Sequence, residues 1–160
     1  IGMGIGLMTV VGECLGAGEK EEAVYYIKKI SIAAEVVLIA TCLLMFGLTY
    51  PITYFGGMEP ESAKLCIFVV TCITIVKPIV WIMAFIPPYG FRAAGDVRFT
   101  MTTSMLCMWF CRVVLAMVLA RVFHMGPIAV WIGMFADWGI RSIIFSIRFL
   151  SGKWMEKHVI

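Results

Sequence analysis

Four apolar runs, each long enough to cross a lipid bilayer, limit what this chain can fold into. They cover residues 30–50, 65–86, 99–123 and 128–147. A helix of about 20 residues spans the roughly 30 Å of bilayer hydrocarbon. The chain is 62% hydrophobic and 14% charged, whereas ordinary soluble domains are about 45–50% apolar and about 25% charged. We therefore predict an all-α integral membrane protein with four complete transmembrane helices.

A shorter apolar run, residues 1–15, precedes these four. It is too short to cross a membrane and is interpreted as the end of a fifth span. Gly2 and Gly6, one helical turn apart, predict a close contact with another helix. The small residues that follow predict a glycine C-cap for this helix: Gly16, Ala17 and Gly18.

Prolines divide the apolar runs. Pro51 is expected to end the first full span because proline lacks the N–H that continues a helix. Pro78 is expected to kink the second span. The stretch from residue 87 to residue 99, rich in proline and glycine, is interpreted as a polar connector between spans two and three. Its motif residues are Arg92, Gly95 and Asp96.

Basic residues predict the orientation in the membrane, since cytoplasmic loops carry an excess of Lys and Arg. With the 87–99 connector inside, the outside ends of the spans carry Lys64 and Arg121. The inside ends carry eight basic residues: Lys20, Lys28, Lys29, Arg92, Arg98, Arg148, Lys153 and Lys157. We therefore predict a cytoplasmic C-terminus, with residues 148–160 as a cytoplasmic tail.

Besides Arg121 near the far end of the third span, five charged residues lie within the four predicted full spans, where a charge costs at least about 2.5–3.5 kcal/mol to insert. They are Glu35, Lys77, Arg112, Asp137 and Arg141. Such residues brace a helix bundle or line a solute pathway, and together with Pro78 they are the candidate site residues.

Each of these residues admits two interpretations. Asp137 and Arg141 share one helix face. They form either a structural ion pair or a carboxylate that exchanges a proton or cation. Lys77, beside Pro78, is either a structural tether or a pathway residue. Glu35 is either an interfacial acid or a pathway residue, and Arg112 is more typical of a tether.

Other classes of function have little support in the sequence. The basic residues are dispersed, which argues against a nucleic-acid partner. The six cysteines form no CxxC pair, so no metal site is expected. His124 and His158 lie outside the spans, and no set of catalytic residues is recognisable. We expect neither an enzyme nor a bound cofactor.

Three stretches, in order, resemble the multidrug and toxic compound extrusion (MATE) transporters. Residues 11–23 resemble the family's V-G-Q-x-L-G-A-G turn, with Glu13 in place of glutamine. Residues 91–96, F-R-A-A-G-D, resemble its F-R-A-x-G-D connector. The last span and its basic end resemble the family at Gly126-Pro127, Trp131 to Met134, Asp137-Trp138, Arg141, Arg148 and Gly152 to Trp154.

The resemblance implies that residues 1–160 form part of the C-terminal lobe of a twelve-helix, two-lobed plasma-membrane transporter. Such a protein exchanges organic, often cationic, compounds for sodium ions or protons by alternating access. Its partners would be membrane lipid, the organic cation and the missing N-terminal lobe. The family often places an acid in the tenth span, where this chain has Lys77. Two alternatives remain: a lipid-linked saccharide flippase of related architecture, which suits the basic residues Lys77 and Arg112, and a non-transporting scaffold.

Overall fold

The computed structural model describes residues 2–124 and 126–155, and these residues contain helices and turns but no strand. The helices are α1 (Gly2–Gly16), α2 (Lys20–Phe55), α3 (Pro60–Phe85), α4 (Pro87–Ala93), α5 (Val97–Cys107), a π-helical segment (Met108–Leu115), α6 (Ala116–Val122), α7 (Ile128–Leu150) and a 3-10 turn (Lys153–Met155).

Four of the helical stretches are long and apolar enough to cross a membrane: Lys20–Phe55, Pro60–Ala93, Val97–Val122 and Ile128–Leu150. The third consists of α5, the π-helical segment and α6 in unbroken succession. Each predicted full span overlaps one of these stretches. The all-helical membrane fold is confirmed.

Helix α7 lies at the centre of the bundle. It packs against α3 on one side and against α5, the π-helical segment and α6 on the other, while α2 lies between α1 and α3. Among the 18 most apolar consecutive residues of α7, one third (33%) are buried. The corresponding share for the Pro60–Ala93 stretch is 6%. The apolar surfaces of the outer helices are therefore exposed to the surroundings, as expected where lipid is the solvent.

The hydrophobic core is concentrated at one end of the bundle. It contains Leu7, Val11, Ala23, Ile27, Ile82, Ile86, Phe91, Ala94, Phe145 and Trp154. The α1–α2 turn, helix α4 and the C-terminal end of α7 all meet there. These are the segments predicted to be cytoplasmic. The structure brings them to the same end of the bundle, and the side of the membrane stays a prediction.

The 87–99 connector is not an exposed polar loop, which corrects the sequence interpretation. Residues 87–93 form α4, whose Pro87, Pro88, Gly90 and Phe91 are buried. The ring centroid of Phe91 lies 5.5 Å from that of Trp154 and 6.1 Å from that of Phe145. Trp154, placed by sequence in the cytoplasmic tail, is likewise fully buried. The apolar side chains of this segment therefore fill the space between the ends of the neighbouring helices.

Glycine ends α1 and α4 in the same way. Gly18 has φ of +81°, and the N–H of Glu19 donates to the carbonyl of Cys14 at 2.9 Å. Gly95 has φ of +84°, and the N–H of Asp96 donates to the carbonyl of Phe91 at 2.9 Å. Both are Schellman caps, which need a left-handed residue that glycine adopts without steric cost. The predicted C-cap after α1 is confirmed, with Gly18 as its left-handed residue.

Two local predictions were wrong. Pro51 lies inside α2, which continues to Phe55, because packing and the remaining ladder outweigh one missing N–H. Gly2 and Gly6 make no close contact with any residue that the structure describes. Gly4 does, since a Cβ there would lie 2.6 Å from the ring of Tyr89. The Gly-x-Gly-x-Gly pattern indicates a close helix contact but does not tell which glycine faces the neighbour.

Candidate functional site

The carboxylate of Asp137 and the guanidinium of Arg141 form an ion pair within α7. The Arg141 Nε donates to the Asp137 Oδ1 at 2.8 Å. Asp137 is 1% exposed and Arg141 is 8% exposed. The i, i+4 spacing places both on one helix face. Each charge therefore neutralises the other inside a helix that is long enough to cross a membrane.

Arg141 also connects α7 to the neighbouring helices. Its Nη2 donates to the backbone carbonyl of Ser104 in α5 at 3.0 Å. Its Cζ lies 5.6 Å from the ring centroid of Phe85 in α3, a cation–π distance. One guanidinium thus contacts three helices, as its planar set of five donors permits.

Helix α3 carries a stack of aromatic rings that leads away from Arg141. The rings of Trp81 and Phe85 are stacked, with centroids 4.8 Å apart and planes 23° apart. The Nζ of Lys77 lies 5.5 Å from the Trp81 centroid. The spacing i, i+4, i+8 places these three residues on one face of α3. We call Lys77, Trp81, Phe85, Ser104, Asp137 and Arg141 the polar–aromatic cluster.

Within this cluster, Lys77 differs from Arg141 in having no acidic partner in the part of the chain that the structure describes. In residues 2–124 and 126–155, no carboxylate lies within 4.0 Å of its Nζ. Lys77 is half-buried, and α3 continues through the adjacent Pro78 to Phe85. Among the described residues, its cationic charge therefore faces one indole ring and no anion.

The structure joins only some of the candidate residues. Lys77, Asp137 and Arg141 belong to the cluster. Glu35 lies on α2, where it lines a separate groove. Arg112 is exposed on the π-helical segment and makes no ion pair with the described residues.

Sequence reasoning missed Trp81 and Phe85, which link the two cationic side chains. A usable signal exists in the sequence, since both follow Lys77 at steps of four residues. By itself this spacing does not identify a site, because aromatic residues in a membrane span more often face lipid. These rings are recognised as part of a site only because Arg141, on a helix far away in the sequence, packs against Phe85.

The second ion pair of the described residues holds the F-R-A-A-G-D motif against α7. Arg148 Nη2 and Nε donate to Asp96 Oδ2 at 2.7 and 2.9 Å. Asp96 is completely buried, and Arg148 Cζ lies 4.6 Å from the ring centroid of Phe99. Gly95 and Asp96 are therefore structural parts of the bundle end. Arg92, in the same motif, lies 5.4 Å from the Tyr89 ring centroid.

Helix α7 also approaches the π-helical segment very closely, at Gly133. A Cβ at this position would lie 2.8 Å from the carbonyl oxygen of Cys111 and 3.2 Å from the Cβ of Ala116. The π-helical segment begins at Met108, whose N–H contacts the same Ser104 carbonyl that accepts from Arg141. Gly133 thus packs against the π-helical segment, while Arg141 bonds a carbonyl in the turn that precedes it; such stretches often mark functional positions.

We expect Gly133→Ala to destabilise the protein by about 1–3 kcal/mol through overpacking, partly offset by the roughly 1 kcal/mol gain in helix propensity. Gly139→Ala on the same helix is the matched control, because nothing lies within 4 Å of its added Cβ. It should be neutral or slightly stabilising. Thermal unfolding of the purified protein measures both, and equal shifts would contradict the close packing at Gly133.

No group of three or more His, Cys, Asp or Glu side chains in the described part of the chain is placed to hold a metal ion. The six cysteines are free thiols. His158, Lys157 and the end of the predicted cytoplasmic tail lie outside the described residues.

Comparison with known proteins identifies the family. The sequence model of the MatE family matches residues 1–118. The chain is 25% identical over 159 residues to a protein of Thermotoga maritima named "Probable multidrug resistance protein NorM", a match that covers 99% of this chain. The chain spans about one third (34%) of the length of that relative. No solved structure matches. The family match covers most of the chain, agrees with the motifs and with the helical membrane fold, and shows that this chain belongs to the MatE family.

Proposed function

We propose that this chain is part of a secondary active exporter that moves organic, often cationic, compounds across the plasma membrane in exchange for sodium ions or protons. The family match and the name of the Thermotoga maritima relative support export of toxic compounds. The whole protein would alternate between inward-open and outward-open states, and this chain would contribute most of its C-terminal lobe. The proposed activity is transport without a chemical step, not enzymatic catalysis.

The polar–aromatic cluster is the observation that carries the proposal. Ionisable groups within membrane spans are costly and mark solute or ion pathways unless they are fully paired. Asp137 and Arg141 are fully paired and buried, so we assign them to bracing α3, α5 and α7 as one rigid unit. A lobe that rocks as a body needs such a brace.

Lys77 is the pathway residue in this proposal. It is half-buried, and among the described residues its charge meets the Trp81 ring and no carboxylate. A positive group at this position would act on a cationic compound by repulsion, which favours its release. It would also form an ion pair with an acid of the other lobe when the lobes close together. In either role the positive charge, rather than the side-chain volume, is what the transport cycle needs.

Lys77 also supports the alternative function, flipping of a lipid-linked saccharide. An anionic diphosphate headgroup would be attracted to a membrane-embedded lysine that has no acidic partner among the described residues, and to the exposed Arg112. The two functions differ in the charge of the transported molecule: an exporter would move an organic cation, and a flippase would move an anionic lipid.

Efflux of a cationic fluorescent dye from vesicles that contain the full-length protein tests the proposal. Imposed sodium and proton gradients are compared separately. We expect gradient-driven export, reduced at least about tenfold by Lys77→Ala, which corresponds to about 1.4 kcal/mol. Lys64→Ala is the matched control, because Lys64 lies on the same helix but is exposed near its start.

Two results would contradict the proposal. Folded protein that moves no dye under either gradient, yet transfers a lipid-linked saccharide between leaflets, would establish the flippase alternative. Dye export that is unchanged in Lys77→Ala would remove Lys77 from the pathway.

A further inference from the structure

A groove of about 300 Å³ lies between the start of α5 and the C-terminal end of α7. It is at the end of the bundle where the hydrophobic core is concentrated, which is the end predicted to be cytoplasmic. We call it the α5–α7 groove. Among the described residues, no acid lines it. Its lining consists of three apolar residues, two basic residues and one serine: Phe99, Ile144, Ile147, Arg148, Ser151 and Lys153.

The groove changes from apolar to basic along the axis of α7. The four residues that α7 and its C-cap contribute have the spacing i, i+3, i+4, i+7 and so share one helix face. From Ile144 to Ser151 this face extends about 10 Å, at about 1.5 Å per residue. Ile144 and Ile147 lie toward the middle of the span, whereas Arg148, Ser151 and Lys153 lie at its end. The order on leaving the membrane is therefore apolar first and basic last.

Arg148 is held in place with part of its guanidinium left over. Its Nε and Nη2 donate to the Asp96 carboxylate, and its Cζ lies 4.6 Å from the Phe99 ring centroid. Its Nη1, which carries two further N–H donors, makes no hydrogen bond with a described residue. The Arg148 side chain is 17% exposed. A cation whose position is already fixed loses little conformational entropy when an anion binds to it.

Lys153 is likewise positioned by packed structure. It begins the 3-10 turn, and the next residue, Trp154, is completely buried. The Trp154 ring stacks on that of Phe149, with planes 12° apart, and its Nε1 donates to the Phe149 carbonyl at 3.4 Å. Lys153 itself is exposed and makes no ion pair with a described residue. The buried indole therefore keeps an unpaired ammonium group beside the end of α7.

We propose that the α5–α7 groove binds one molecule of an anionic phospholipid. Its phosphate contacts the Lys153 ammonium and the Nη1 of Arg148, and one acyl chain lies along Ile147 and Ile144. The headgroup is then at the helix end and the acyl chain deeper, which is how a lipid lies in a membrane leaflet. Basic pockets between helices on the cytoplasmic side of membrane proteins bind anionic headgroups in this way. The inference requires the membrane fold but no particular transported compound.

The lining distinguishes an anionic phospholipid from other phosphate compounds. A zwitterionic headgroup would bring an ammonium group next to Lys153 and Arg148, and no described acid lines the groove to receive it. A soluble phosphate would leave the apolar part of the groove uncovered, where Ile147 is 62% exposed. An anionic headgroup with acyl chains matches both parts of the groove.

Native mass spectrometry of the full-length protein in detergent micelles tests the proposal. Phosphatidylglycerol and phosphatidylethanolamine with identical acyl chains are titrated in parallel, and glycerol phosphate is added as a competitor without acyl chains. We expect one phosphatidylglycerol to bind saturably and more tightly than phosphatidylethanolamine. Glycerol phosphate should not displace it. Lys153→Gln should weaken its binding about tenfold, as for loss of one hydrogen bond to a charged group.

Matched variants separate the groove from general surface charge. Lys28 is also an exposed lysine, but it lines the groove on α2 that contains Glu35. Lys28→Gln should therefore change phosphatidylglycerol binding by less than about twofold. Ser151→Asp and Ser151→Asn introduce side chains of nearly equal size at an exposed position. The aspartate places a negative charge beside the phosphate and should weaken binding as much as Lys153→Gln, whereas the asparagine should leave it nearly unchanged.

Four results would overturn the proposal. The first is absence of saturable phosphatidylglycerol binding. The second is an equal effect of Lys153→Gln and Lys28→Gln, which would indicate general attraction to surface charge. The third is phosphatidylethanolamine bound as tightly as phosphatidylglycerol, which would mean that the groove does not select a negative headgroup. The fourth is displacement of the lipid by glycerol phosphate, which would exclude a role for the apolar wall.

Discussion

Replacing Asp137 with asparagine is expected to destabilise the protein by about 3 kcal/mol or more, because it leaves the Arg141 guanidinium as an uncompensated buried charge. The substitution keeps the shape of the side chain, so the loss reports the charge. Arg141 contacts Ser104 and Phe85 in addition to Asp137. The consequence should therefore extend to the packing of α7 against α3 and α5. Thermal and denaturant-induced unfolding of the purified protein measure the change.

A double variant distinguishes a brace from a transport group. Asp137→Leu combined with Arg141→Met replaces the pair with apolar groups of similar volume, a change that is often neutral or stabilising by about 1–4 kcal/mol. If the pair only braces the helices, the double variant should regain both stability and most of its transport. Recovery of stability without transport would contradict the bracing role and assign one of the two charges to the pathway.

Arg112→Gln serves as the control for loss of a charge within a span. Arg112 is exposed and makes no ion pair with a described residue. We therefore expect a change within about 0.5 kcal/mol. If Arg112→Gln lowered the free energy of unfolding as much as Asp137→Asn, loss of a charge anywhere in these helices would destabilise the protein. The buried Asp137–Arg141 pair would then not contribute more than any other charge.

Replacing Phe91 with alanine is expected to destabilise the protein by about 3–5 kcal/mol, the usual cost of truncating a fully buried aromatic side chain. Phe91 is completely buried, and its ring packs against Phe145 of α7 and against Trp154. The cavity left behind would open the contact between α4, α7 and the C-terminal 3-10 turn. Unfolding midpoints measure the loss.

Phe110→Ala is the matched control for Phe91→Ala. Phe110 is 63% exposed on the π-helical segment, so its truncation removes surface that contacts the surroundings rather than the core. Its effect on the unfolding midpoint should be small. If Phe91→Ala had an equally small effect, residues 87–99 would be a loop on the surface rather than a packed part of the bundle.

Much of the fold could be predicted from local sequence. The apolar runs predict helices that cross a membrane because hydrocarbon requires every backbone N–H and C=O to bond within its own helix. Gly18 predicts the end of α1 because few other residues adopt positive φ at low cost. Asp137 and Arg141 predict an ion pair because four residues make one helical turn. In each of these cases the physical cause lies within a few residues of its effect.

The candidate site could be predicted only in part, because its contacts join distant segments. The sequence pointed to Lys77 and Arg141 separately, as two charges in apolar helices. Their connection through Trp81 and Phe85 depends on how α3 packs against α7. The burial of Phe91 likewise depends on Phe145 and Trp154, which follow it by more than fifty residues in the sequence.

The sequence by itself therefore determined the class of this protein: a helical membrane protein whose motifs match the MatE family. Hydropathy and glycine stereochemistry act locally, so they can be read without a structure. The tertiary structure decided which charges are buried and paired, which glycine of α1 faces a neighbour, and that residues 87–91 are largely packed into the core rather than part of an exposed loop. These properties depend on which helix faces meet, and no short stretch of the chain encodes that alone.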